Sequence, residues 1–404
     1  MRAVMIVVPG LAEQPLAALG GRTPLDTAVH PALDALATRG RLGTVDLAAP
    51  GASPGAVTGL PALLGFDAAL LDLKRGPLEA IGLGVALGPD DLALRLNFVS
   101  TCEGTLADTR AGHVSDREAA LLLETLRAPD VLPAGWQLVA GAGYRHLLVI
   151  PGGAALDLHT VPPHAVLGQP LAAHLPSGRD SMPLRGFLES AFARLRAHEV
   201  NRVRLDLGEN PADAVWAWGE GTRQELPALC PQFAGGMAVV AAAPLVRGLA
   251  LQAGLPAPRL LGATADERSD LAAKAAAARA LLAMHPWVVV HAAAVNEASR
   301  SGDAKRKVAQ IERVDRELVG PLLEWQQEQP AERRLAVVSD HSTSVETRGR
   351  GDGPVPFALH GAGIDGVRER RFTEDAARAA DLQFERATAL LDWFTRPSSR
   401  AAHA

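Results

Sequence analysis

Short apolar runs of strand length recur between long helical segments, and this alternation constrains the fold more than any other feature of the chain. The runs occupy residues 5–8, 146–150, 237–242, 287–292 and 335–338, with Gly and Pro as punctuation. Continuous apolar runs of this length lack the polar alternation of a strand with one wet face, so they predict strands covered on both sides. Between them, residues 116–127, 184–198, 266–284 and 303–328 carry Ala, Leu and Arg at helical spacing. Strand and helix in alternation predict an α/β architecture with a mostly parallel sheet.

At 404 residues the chain exceeds what one core supports, so two domains, or one interrupted by another, are expected. Apolar residues make up 48% of it but aromatics only 4%, so Ala, Leu and Val must fill the core. The formal net charge is -5 with Lys and Arg scattered, which excludes the basic footprint of a nucleic-acid binder or of a protein held on an anionic membrane. Cys102 and Cys230 stand far apart without Cys-x-x-Cys or Cys/His spacing, which argues against a disulfide framework or a zinc ribbon and makes a reducing cytoplasm the expected location. The opening run from Met1 to Val8 is too short for the apolar centre of a signal peptide, stops at Pro9-Gly10 and reads as a buried first strand.

Two loops stand where ligands gather. Val8-Pro9-Gly10-Leu11-Ala12-Glu13 turns at the C-terminal end of the first expected strand, the edge at which open α/β sheets carry their ligands. Residues 54–67, beginning Pro54-Gly55-Ala56-Val57-Thr58-Gly59, read as a tight turn opening a helix, where backbone N–H groups can receive an oxyanion; an ordinary helix start has the same pattern. Further along come Arg75-Gly76-Pro77-Leu78-Glu79-Ala80, Arg95-Leu96-Asn97-Phe98, Asp108-Thr109-Arg110-Ala111-Gly112 and His198-Glu199-Val200-Asn201-Arg202. Gly262-Ala263-Thr264, Asp340-His341-Ser342-Thr343 and Pro354-Val355-Pro356 complete the series.

In this order the segments resemble the archaeal-type, cofactor-independent (2,3-bisphosphoglycerate-independent) phosphoglycerate mutases, relatives of the alkaline phosphatase superfamily, nearly end to end. The resemblance implies an alkaline-phosphatase-like core with a mostly parallel sheet, built from residues 1–68 and 228–404, and an inserted α/β cap domain over residues 69–227. It also implies the family's glycolytic isomerisation. There a serine takes the phosphoryl group of 3-phosphoglycerate and returns it to the neighbouring hydroxyl, assisted by two divalent metals (Mn, Mg or Zn) held by Asp, His and that serine.

The same resemblance puts Ala56 at the serine, Val57 and Leu60 at the Asp and His that follow it, and Pro9 and Glu13 at the acidic positions of the first turn. Asn296 and Arg300 stand at an Asp and a His ligand, and Arg350 aligns with the last His. Only Asp340 and His341 remain as metal ligands, and none of the family's catalytic residues is retained. Two protein ligands rarely hold a catalytic divalent ion, so no cofactor is expected. Asp340 reads equally as a cap for backbone donors, and His341 as an interior imidazole. Arg300 and Arg350 would bring fixed charge to the metals' place and are candidates to neutralise a phosphate or carboxylate; solvated loop arginines would look the same.

In the cap, Arg75, Arg95, Arg110, His164 and Arg202 match or neighbour the family's polar segments and are candidates to face the substrate's carboxylate and phosphate. The family's Asp-Thr-Asp-Pro-His pattern reads Thr160-Val161-Pro162-Pro163-His164, two carboxylates short. Scaffold segments such as Pro211-Ala212-Asp213 and the helix at 305–312 are kept. The expectation is therefore a mutase-inactive member, a pseudoenzyme that binds a phosphorylated small molecule, with no nucleic acid or membrane partner and with protein partners open. Two alternatives stand beside it: a metal-free enzyme using Arg300, Arg350, His341 and Asp340 in the same cleft, and a working mutase with Thr58 or Ser53 as nucleophile.

Overall fold

The computed structural model describes residues 1–47, 59–66, 73–229, 233, 235–366 and 371–396. Two compact units divide the chain: Met1–Asp72 with Leu226–Ala404, the core unit, and Leu73–Glu225, the cap unit. Strands β1 (Arg2–Val7) and β2 (Arg41–Val45) come first. The cap contributes β3 (Leu92–Cys102), β4 (Thr105–Asp108), β5 (Gln137–Val139), β6 (Arg145–Ile150) and β7 (Ala214–Gly221). The chain then returns to the core for β8 (Met237–Val240), β9 (Trp287–His291), β10 (Arg333–Val338), β11 (Ser342–Thr343), β12 (Arg350–Gly351), β13 (Val355–Gly361) and β14 (Leu382–Phe384).

The core sheet has the order β14-β2-β13-β10-β1-β9-β8. Its centre is parallel: β1 lies between β10 and β9, with Val4 opposite both Leu335 and Val288. Only β13 runs against its neighbours, pairing antiparallel with β10 and with β2. Val4, Ile6, Val288, Val290, Leu335 and Val337 share one buried cluster with residues of the helices Pro31–Arg39, Leu271–Leu281, Ala304–Val314 and Gly320–Glu328. Each of the five apolar runs is a strand, because a run without polar alternation is stable only where helices shield it from water.

The helical expectation at 303–328 needs a correction. Ala304–Val314 and Gly320–Glu328 are α-helical, but Asp315–Val319 between them forms a π turn. Pro321, at the start of the second helix, brings no N–H to the ladder, and the wider turn absorbs the missing bond. The Asp315 carboxylate accepts from the N–H groups of Ala32 and Leu33, at 3.1 and 2.7 Å, and so caps the helix Pro31–Arg39 from outside.

In the cap the sheet is antiparallel. Its spine is β3, which pairs with β4, β6 and β7. The apolar runs do not single out β3, since Arg95 and Asn97 interrupt its pattern, yet both are buried there. Several segments that carry the family resemblance hold this unit together. Asp108 accepts from the N–H groups of Arg110 and Gly112. His198 caps the helix Glu199–Asp206 through Val200 N–H, and the Asn201 amide bridges Leu195 and Ala212. Asp213 receives both the N–H and the hydroxyl of Thr101. Among the described residues no helix is long and apolar enough to cross a membrane.

His146 in β6 generates a prediction. The ring is 2% exposed, and burial, with help from the Arg95 and Arg127 charges, pushes its pKa down to about 3. On acidification the unfolded chain takes up the proton first, at about pH 6.5, so stability is complete above that pH and is lost progressively as pH falls toward the folded value. The slope reaches about 1.4 kcal/mol per pH unit. Urea midpoints measured from pH 7 to 5 should fall more steeply for the wild-type protein than for H146Q. Parallel profiles would show that His146 is not the source.

Candidate functional site

The candidate site in the core unit grows from the C-terminal ends of three adjacent parallel strands, β10, β1 and β9, the edge where α/β sheets place their chemistry. After β1 the chain turns at Pro9-Gly10, and Gly10 N–H donates to His341 O at 2.9 Å. Gly10 has φ +73°, and a Cβ there would stand 2.9 Å from Asn296 Cα and 3.1 Å from Thr343 Oγ1, so only glycine fits. After β9, which ends at His291, the helix Ala294–Ser301 presents Asn296 and Arg300. After β10 come Ser339, Asp340 and His341, leading into the β11/β12 hairpin, where Thr343 pairs with Arg350.

These side chains meet. The Asn296 carbonyl oxygen accepts from the Thr343 hydroxyl at 2.9 Å and lies 3.2 Å from His341 Nε2. His341 Nδ1 is 2.7 Å from Asp340 Oδ1, close but outside hydrogen-bond alignment. Burial pushes His341 below the ordinary imidazole value; the Asp340 carboxylate opposes this, and Arg350 and Arg300 add to it. Burial works to raise Asp340, but His341, Arg350 and His291 together outweigh it and hold the carboxyl below its usual range. A neutral ring has one N–H for the two oxygens flanking it. Arg300 Nη1 donates to Arg348 O at 3.3 Å, which sets the Arg300 side chain against the hairpin.

Glu13 belongs to a different network. Its carboxylate receives Lys307 Nζ at 3.2 Å, Val345 N–H at 2.7 Å and Gln14 N–H at 3.0 Å. Lys307 also donates to Ala12 O and Thr343 O. Both side chains are buried, at 0% and 2% exposure. Burial lowers Lys307 while Glu13 works to raise it.

The resemblance implies two divalent cations here, and the donor set does not fit them. Glu13 is engaged by an ammonium and two backbone N–H groups, and the Asn296 oxygen is engaged with Thr343. Arg350 brings positive charge near both Asp340 and His341, and Arg300 near His341. Among the described residues no three His, Cys, Asp or Glu side chains are grouped to hold a metal. Ala56, Val57, Thr58 and Ser53 lie outside the described residues, whereas Leu60 is buried at 3% exposure.

In the cap, three of the five candidates converge on Trp218. The Glu79 carboxylate binds Arg75 Nε and Arg95 Nη1, each at 2.6 Å. The Arg75 and Arg95 guanidinium carbons lie 5.0 and 5.4 Å from the Trp218 ring centre, and His164 meets the same ring edge-on at 5.5 Å. Burial lowers Arg95 to about 10 even though Glu79 opposes it, and Arg75 and Arg145 push the same way. Burial favours a neutral Glu79, yet Arg95 and Arg75 outweigh that and keep it ionised. One carboxylate thus serves two arginines, with Arg145 in electrostatic range. Trp218 Nε1 is buried with no hydrogen-bond partner among the described residues.

The other two cap candidates stand elsewhere. Arg110 follows β4, whose Asp108 pairs with Ser100, five residues along β3 from Arg95 or about 17 Å of extended chain. Arg202 is exposed on its helix. The buried arginine of that helix is Arg204, bound to Glu118, Ala111 O, Gly112 O and Asn210 O. Sequence reasoning also passed over His291, Lys307, Glu79 and Trp218. The position of His291 at the end of an apolar run was a usable signal, but nothing in the spacing joins Trp218 to residues far away in the chain.

A sequence model described as 2,3-bisphosphoglycerate-independent phosphoglycerate mutase matches residues 37–201. The 2,3-bisphosphoglycerate-independent phosphoglycerate mutase 2 of Methanothermobacter thermautotrophicus is 34% identical over 401 residues, covering 99% of this chain and 98% of the relative. A probable 2,3-bisphosphoglycerate-independent phosphoglycerate mutase of Geobacter sulfurreducens is also 34% identical, over 95% of this chain and 97% of its own. Among solved structures, a Pyrococcus horikoshii protein superposes with a TM-score of 0.74 at 26% identity, covering 97% of this chain and 96% of that one. The cofactor-independent phosphoglycerate mutase of Thermoplasma acidophilum shares the fold, with a TM-score of 0.57 at 24% identity over 97% of this chain and 98% of that one. The class defined by fold and sequence is thus a mixed α/β protein of phosphoglycerate mutase architecture. The chain belongs to the 2,3-bisphosphoglycerate-independent phosphoglycerate mutase family.

The buried ion pair beside the site is open to a direct test. K307M leaves the Glu13 carboxylate buried without its cation and should cost about 3–5 kcal/mol in chemical denaturation. Adding E13Q removes the stranded charge and should restore more than half of that loss. If the double variant is no more stable than K307M, the coupling between the two groups is absent.

Proposed function

We propose that this chain is a mutase-inactive member of its family that binds a phosphorylated small acid. The observation that carries this reading is the state of the oxygen and nitrogen donors at the ends of β10, β1 and β9. Glu13 is held by Lys307 in a buried pair, and Asn296 accepts a hydroxyl from Thr343. With Ala56 at the position the family resemblance gives to the serine, the chain has no hydroxyl there to take a phosphoryl group. Fold and chemistry have separated, as happens when stability is maintained after a reaction is lost.

The ligand class follows from charge. In the cap, the single carboxylate of Glu79 serves the guanidinium groups of both Arg75 and Arg95. Guanidinium groups suit carboxylates and phosphates by geometry as well as charge. A phosphoglycerate offers both groups on a small carbon frame. A second reading, a metal-free enzyme, draws on the 2.7 Å contact of Asp340 with His341, an acid–base pair without an identified substrate. A working mutase with Thr58 or Ser53 as nucleophile is the third.

A coupled assay decides among them. With 3-phosphoglycerate and either manganese or magnesium, turnover should stay at background, while 3-phosphoglycerate should raise the thermal midpoint by a few degrees at about a hundred times its dissociation constant. Arg75 is part exposed at 27% of its side chain, and R75A should remove most of that shift without unfolding the cap. Robust turnover would overturn the proposal and point to an unrecognised nucleophile.

A further inference from the structure

The core sheet carries a cavity at its other edge, where β1, β9 and β10 begin. Its volume is about 360 Å³, within the usual range of small-molecule sites, and Met1, Arg2, Met284, Pro286, Glu332 and Arg333 are among the residues that line it. Backbone bonds fix the rim: Arg2 N–H donates to Glu332 O at 2.9 Å, and Ala3 N–H to Pro286 O at 2.8 Å. The six residues of β1, about 20 Å of extended chain, separate this edge from the one that carries Asp340 and His341.

Arg333 uses only half of its hydrogen-bonding capacity. Its guanidinium lies 4.7 Å from the Trp325 ring centre, and Nη1 donates to Trp325 O and, at 2.8 Å, to Glu328. Nε is buried, and neither Nε nor Nη2 makes a hydrogen bond among the described residues. Those two N–H groups are the side-on fork of a guanidinium, which matches the two oxygens of a carboxylate. Buried polar atoms in native proteins are almost always satisfied, so an idle fork on the wall of a cavity suits an acceptor from outside the chain. Arg2 and Glu332 line the same cavity with opposite charges. Their backbones are bonded, yet their side chains, both exposed, form no ion pair with each other or with any other described residue. Met1 and Met284, 49% and 79% exposed, add flexible apolar surface. Charges of both signs beside such surface complement a zwitterion with an apolar tail, whereas the Glu332 carboxylate repels a polyanion.

We infer that this cavity binds a free α-amino acid with an apolar side chain. The Nε/Nη2 fork of Arg333 takes the α-carboxylate, with the Arg2 charge in the same cavity. Glu332 takes the α-ammonium, and Met1 and Met284 cover the side chain. The site performs no chemistry, and it does not depend on whether the chain retains the reaction of its family.

The probe is L-leucine, titrated calorimetrically into the full-length protein beside two analogues: 4-methylpentanoate, which lacks the ammonium, and L-leucinamide, which lacks the carboxylate. Leucine should bind saturably, and each analogue should bind roughly tenfold more weakly or worse. R333K keeps the charge but loses the planar fork, and should weaken leucine roughly tenfold. E332Q should weaken leucine to a similar degree without weakening 4-methylpentanoate, which has no ammonium to lose. R75A, which alters only the cap, should bind leucine as the wild type does. Thermal midpoints show whether R333K still folds; if it does not, R2Q and E332Q, at exposed side chains that hold nothing else, carry the test. The inference is overturned if leucine does not saturate, if either analogue binds as tightly as leucine, if E332Q binds leucine as the wild type does, or if R75A abolishes binding.

Discussion

The buried pair of Lys307 and Glu13 is the interaction around which the core site is arranged. An ammonium with no access to water needs a counter-charge and hydrogen-bond acceptors, and Lys307 finds them in Glu13, Ala12 O and Thr343 O. These partners come from the turn after β1 and from the hairpin after β10, so one helix residue fixes both loops. Glu13 in turn receives Val345 N–H, and its own N–H donates to Glu374. Removing either charge would strand the other, which couples the site's geometry to the stability of the whole core.

That arrangement changes what the site can do. A carboxylate engaged by an ammonium and backbone donors has less of its charge to offer a metal ion. The same holds for an amide oxygen shared between a hydroxyl and an imidazole. The Arg350 charge near Asp340 and His341 works against a further cation there. The phosphoryl transfer of the family needs a nucleophile and a Lewis acid, which charge and hydrogen-bond geometry alone do not supply.

Legibility in the sequence followed the locality of the physics. The apolar runs at β1, β6, β8, β9 and β10 were readable because shielding on both faces imposes a continuous apolar pattern on consecutive residues. β3 was not, since Arg95 and Asn97 are buried by partners elsewhere in the chain: Glu79 takes the Arg95 guanidinium, and Asn97 accepts from its Nε. The helix across 303–328 was readable in its extent but not in its π turn, where the effect of Pro321 depends on how the ladder before it rearranges.

By itself the sequence determined the α/β class and the family likeness, because these depend on residue identity and order alone. Only the tertiary structure decided which of the remaining polar groups meet. It joined Arg75, Arg95 and His164 around Trp218, put Arg202 in solvent and Arg204 in the interior, and left His291 with a buried nitrogen beside Asp340, His341 and Arg350. The reason is that charge and hydrogen bonding act over a few ångströms in space, and residues far apart in the chain reach that range only after the sheet and its helices have packed.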